Sequence, residues 1–60
     1  MLLAAGYHEN SHILHVVFRT RKTYRYQKVP SFEYDGLMSA ESKGRYMHDH
    51  IIDRYDFEQI

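Results

Sequence analysis

The chain has 60 residues, no cysteine and a formal net charge of zero. Sixty residues make one domain at most, and a chain of that size buries only about 60% of its unfolded surface, so its core is thin. The composition excludes a disulfide scaffold and thiol chemistry, no apolar run approaches the roughly 20 residues of a membrane helix, and a reducing, cytoplasmic setting is expected.

Leu2 to Tyr7 is a short apolar run, too short and without the basic lead-in of a signal peptide, and is read as the first strand. His8-Glu9-Asn10-Ser11 is turn chemistry, because such side chains bond their own backbone. Over His12–Arg19, Leu14, Val16 and Phe18 alternate with His15 and Val17, and a period of two places the first three on one face of a strand. A reversal follows at Thr20 and Arg21, and Lys22–Lys28 resumes an extended pattern with Tyr24 and Tyr26 on one face.

Val29-Pro30 closes the sheet, since proline removes a ladder donor and keeps its predecessor extended. Ser31 is then a candidate cap for a helix over Phe32–Ala40, whose stripe is Tyr34, Leu37 and Met38. Gly36 weakens that helix by up to about 1 kcal/mol, so packing must hold it. Ser42 offers a second cap. Met47, Ile51 and Tyr55 recur every four residues and predict a helix over Lys43–Tyr55. The tail from Asp56 to Ile60 is expected only to tuck against the body. The predicted fold is α+β: a small three-stranded antiparallel sheet followed by two short helices packed on one face, in one domain over residues 1–60. Phe18, Leu37 and Ile51 are expected to share its core.

The ordered set of motifs along the chain resembles the KTSC domain, which occurs at the C-terminus of some lysyl-tRNA synthetases and as stand-alone bacterial proteins. The matching residues are Gly6-Tyr7, then Leu14, Val16 and Phe18, then Tyr24 and Tyr26, then Val29-Pro30. Tyr34 with Leu37, then Ala40, Ser42 and Gly44, and finally Ile51 and Tyr55 complete the set. No single motif is specific; their order is. Two positions depart: the family usually has glycine where Arg21 stands, and often Phe-Asn where Met47-His48 stands. The resemblance implies a domain of unknown function for which RNA binding has been suggested.

Charge is unevenly distributed. Residues 1–30 hold five cations against Glu9 alone, whereas residues 31–60 hold three against seven acids. Such a dipole can steer an anionic partner or bring two copies together through opposite patches; equally, the two halves can interleave in space and only solvate the surface. The stretch from Arg19 to Lys28 contains Arg19, Arg21, Lys22, Arg25 and Lys28 with Tyr24 and Tyr26, and no acid. Cations neutralise phosphates and aromatic faces stack on unpaired bases, so these seven residues are the candidate site for RNA or single-stranded nucleic acid.

Hairpin parity decides what the tyrosines do. A three-residue loop over Arg19–Arg21 pairs Val16 with Tyr24 and Leu14 with Tyr26, which turns both rings to the apolar face. A two-residue loop turns them to the other. The glycine usual at the Arg21 position suits the left-handed last residue of a three-residue loop. A domain without tryptophan also needs large rings, so the core role is favoured.

The five histidines form no metal pattern: His12 and His15 fall on opposite strand faces, and His48 and His50 lie about 200° apart on a helix. Ser42 and His48 lack an orienting carboxylate, so no catalytic residue, metal or cofactor is expected. The leading expectation is a non-catalytic binding module. The alternative is a protein-interaction or homodimerisation domain of a phage or bacterial accessory protein.

Overall fold

The computed structural model describes residues 2–60. Strands β1 (Leu2–His8), β2 (Ile13–Phe18) and β3 (Thr23–Tyr26) are followed by helix α1 (Ser31–Ser39). Helix α2 (Lys43–Tyr46) runs directly into a π-helical turn (Met47–Ile51), and β4 (Phe57–Gln59) completes the fold. The sheet therefore has four strands rather than three, antiparallel in the order β1-β2-β3-β4. The tail that was expected only to tuck in adds to the free edge of β3. Its Phe57 and Gln59 pair with Tyr26 and Tyr24, and flanking bonds run from Gln27 N–H to Asp56 O and from Ile60 N–H to Thr23 O. Three residues are too short for alternation to be read, and the partner edge exists only once β3 is in place.

The β2–β3 register pairs Val16 with Tyr24 and Leu14 with Tyr26, the pattern of the three-residue loop. Arg21 N–H donates to Phe18 O at 2.8 Å and Phe18 N–H to Lys22 O at 3.0 Å, which closes the loop. Arg21 adopts φ 68°, the left-handed conformation that this loop demands of its last residue. One sheet face thus carries Leu14, Val16, Tyr24 and Tyr26, and the helices cover it. Leu14, Val16, Tyr26, Val29, Leu37, Met47 and Ile51 form the buried core. Phe18 packs at its rim, half-buried, so only Leu37 and Ile51 of the expected trio are fully enclosed.

Two helix ends differ from expectation. Pro30, not Ser31, occupies the cap position of α1; it is extended at φ −70°, ψ 154°, and no side chain caps the helix. Proline is pre-set for that dihedral and has no N–H to lose. The second helix stops at Ile51 instead of Tyr55. Its last turn widens, with Ile52 N–H donating to Met47 O at 2.8 Å, and the chain then reverses toward β3. Ser42 does cap α2, accepting from Arg45 N–H at 3.3 Å.

The helices are tied by one buried acid. Glu33, 5% exposed, accepts from Tyr46 Oη at 2.7 Å and from Tyr55 Oη at 3.0 Å. Gly36 stands one helical turn along α1 from Glu33. A Cβ there would lie 2.2 Å from Tyr46 Oη, so the glycine that weakens α1 is what lets Tyr46 reach Glu33.

Candidate nucleic-acid interface

The hairpin loop gathers Arg19, Arg21 and Lys22 at one end of the sheet. All three are exposed, and among the described residues none is in an ion pair. Three like charges on a short closed loop make a positive end whose shape is held by the loop's own backbone bonds. The left-handed backbone at Arg21 costs a non-glycine residue about 1 kcal/mol or more. Arg21→Gly is therefore expected to raise the melting temperature modestly while removing a cation from the tip. A thermal melt of the variant, read by circular dichroism, checks this; a lowered melting temperature would mean that the arginine side chain stabilises the loop in another way.

The other predicted residues are placed differently. Arg25 lies on the sheet face without helices, where its guanidinium donates to Glu58 at 2.5 Å, so its charge is already countered. Lys28, exposed with φ 56°, sits beyond the far end of β3, away from the tip. Tyr26 is 2% exposed, and burial raises its phenol above the ordinary value, with a smaller contribution from Tyr24. It offers no face to a base and leaves the candidate site as a core residue, because the three-residue loop turns it inward. Tyr24 is half-buried on the same face.

Around Tyr24 the structure assembles an aromatic file that the linear pattern did not show. Phe18 meets Tyr24 edge to face at 5.3 Å. Phe57 stacks on Tyr24 at 5.2 Å and 23°, and lies 5.6 Å from Tyr26. Phe57 is 51% exposed. A lone phenylalanine in a five-residue tail has no period to place it. Its one signal was that Phe57 and Gln59 share a parity.

The opposite end of the molecule has the opposite character. A cleft of about 640 Å³ between the β1–β2 turn and α1 is lined by the acids Glu9 and Asp35 and by Tyr7 and Tyr34, which stack at 5.4 Å. Tyr7 Oη donates to Val29 O at 2.6 Å. Burial is the main reason that the Tyr7 phenol is raised, and Glu9 and Asp35 add to it. Tip and cleft lie at the two ends of β2, so part of the asymmetry in sequence becomes one in space. Elsewhere, His15 meets His8 edge to face at 4.9 Å and is held below the ordinary histidine range, mainly by burial and then by His8 and Arg25. No group of three or more His, Cys, Asp or Glu is positioned to hold a metal ion among the described residues. Within those residues no helix is long and apolar enough to cross a membrane.

Comparison with known proteins places this arrangement. A KTSC domain protein from Yersinia pestis, known from its crystal structure, superposes with a TM-score of 0.96 at 34% identity, over 98% of this chain and 83% of that one. A protein of Tsukamurella paurometabola is 38% identical over 52 residues, which is 87% of this chain and 78% of that protein. The family profile described as KTSC domain matches residues 1–55. With the ordered motifs, the sheet-and-helix fold and these likenesses in agreement, the chain belongs to the KTSC domain family.

Proposed function

We propose that this domain is a small, non-catalytic binding module of the cytoplasm that takes RNA or single-stranded nucleic acid on its β2–β3 hairpin. The observation that carries this reading is the tip itself: Arg19, Arg21 and Lys22, exposed and free of ion pairs among the described residues, on a loop that holds arginine where its backbone favours glycine. A charged, exposed side chain on a strained backbone position accords with a binding role for that side chain. Exposed charges contribute little to stability, whereas each neutralised phosphate releases counterions and adds to affinity.

Replacing Arg19, Arg21 and Lys22 together with glutamine is expected to abolish binding of a labelled RNA or DNA oligonucleotide and to leave the melting temperature nearly unchanged. Wild-type binding should weaken steeply with salt. A wild-type protein that binds neither oligonucleotide at low salt overturns the reading.

The segregation of charge favours a second reading, self-association by docking the basic tip of one copy into the acid-lined cleft of the next. The same triple variant would then lose concentration-dependent self-association in light scattering, with no response to nucleic acid in the wild type.

A further inference from the structure

We propose that Phe57 and Tyr24 form a stacking site for unpaired bases, so that the hairpin takes single strands in preference to duplex. The proposal rests on the tip as the phosphate-binding element and adds what the tip alone lacks, a means of telling a single strand from a double one.

Phe57 lies on an edge strand, a position that proteins commonly guard with charge or proline rather than an exposed ring. Its ring is supported from below by Tyr24 at 5.2 Å and Tyr26 at 5.6 Å, yet half of its surface is open. The support is rigid. Tyr26 is buried, and β4 is held on both sides of Phe57 by the bonds from Gln27 and Ile60. Little ordering is then left to oppose the arrival of a base. Offset stacking on an open aromatic face is available to any unpaired base, whereas bases inside a duplex are already stacked on one another.

The surroundings set the direction of the strand. Gln59 pairs with Tyr24 across the β3–β4 edge and is exposed, so the residue next to the rings on β4 carries an amide with both donor and acceptor for a base edge. Lys22 immediately precedes β3, two residues before Tyr24, about 7 Å at the rise of an extended chain. A strand of two or three nucleotides therefore spans from the rings to the tip cations. On the other side of Phe57 stand Asp53 and Asp56, with Arg54 between them in sequence. The two carboxylates disfavour phosphate there, so the backbone leaves Phe57 toward Arg21 and Lys22.

The test measures binding of a labelled ten-nucleotide oligouridine and of an RNA duplex of the same length, at one low salt concentration. The wild type should prefer the single strand. Phe57→Leu should weaken single-strand binding about tenfold, as the loss of one stacked base would, and leave duplex binding unchanged. Phe57→Trp should retain affinity, and its indole emission should be quenched as oligouridine is added. Melting curves of both variants establish that they are folded. If a folded Phe57→Leu binds oligouridine as the wild type does, or the Trp emission ignores a bound oligonucleotide, the stacking site is wrong and the basic tip still stands. If the wild type binds neither probe, the tip reading fails, and the stacking site with it.

Discussion

Ile51→Ala is expected to cost about 2–5 kcal/mol and to leave a substantial fraction of the protein unfolded at 25 °C. Ile51 is fully buried, in the widened turn that ends the second helix, and shares the core with Leu14, Val16, Tyr26, Val29, Leu37 and Met47. Truncation removes three carbons from a packed interior and leaves a void between sheet and helix that the paired strands can close only in part. A single core in a domain this small supplies roughly 3–5 kcal/mol of net stability, so the loss is comparable to the whole. Thermal and urea melts followed by circular dichroism give the answer. A melting temperature equal to the wild type's would mean that Ile51 is not enclosed as described.

Glu33→Ala is expected to come second, at about 3 kcal/mol, since two hydrogen bonds to a charged acceptor are lost, each taken at the lower end of roughly 1.5–3 kcal/mol. Glu33→Gln should cost less than half of that, because an amide still accepts from one tyrosine and can donate to the other. The pair of variants separates the hydrogen bonds from mere occupancy of the site. If Ala and Gln cost the same, the network contributes nothing specific.

The same network makes a pH prediction. The Tyr46 phenol is pushed up to about 12, first by burial, then by its bond to Glu33, the Glu33 charge and Tyr55; Tyr55 is raised by burial and then by Glu33. Both groups hold their protons more tightly folded than unfolded. Their contribution is complete below pH 10 and is lost as pH rises from 10 through about 12, where the unfolded chain has given up its protons first. Urea melts from pH 8 to 11.5 should show stability falling above pH 10. In Glu33→Ala the fall should be shallower, because the bond and charge of Glu33 are gone and burial is the main cause that remains.

Much of the architecture was written locally. The alternation of Leu14, Val16 and Phe18 and the stop at Val29-Pro30 specify strands and then helices, because side-chain period and proline chemistry act within a few residues. The clustering of Arg19, Arg21 and Lys22 was legible for the same reason: a tight loop keeps sequence neighbours together. Even the inward turn of Tyr26 followed from loop parity, although sequence alone left two parities open and the bonds of Phe18 and Lys22 chose between them.

The remainder depends on contacts between residues far apart in the chain. β4 exists because β3 offers unpaired backbone groups to a segment 33 residues further on, as in the Arg25–Glu58 pair, and no local pattern encodes that meeting. The second helix ends at Ile51 because the chain must turn there to bring Tyr55 to Glu33 and Asp56 to Gln27. Gly36 reads locally as a defect in α1 and becomes a requirement only when Tyr46 crosses it. Phe57 is a tail residue until Tyr24 lies beneath its ring. Period, turn chemistry and charge are properties of neighbours in sequence, and these the 60 residues determine by themselves. Burial, strand pairing and stacking are properties of neighbours in space, and they were decided only when the sheet and the helices closed on one core.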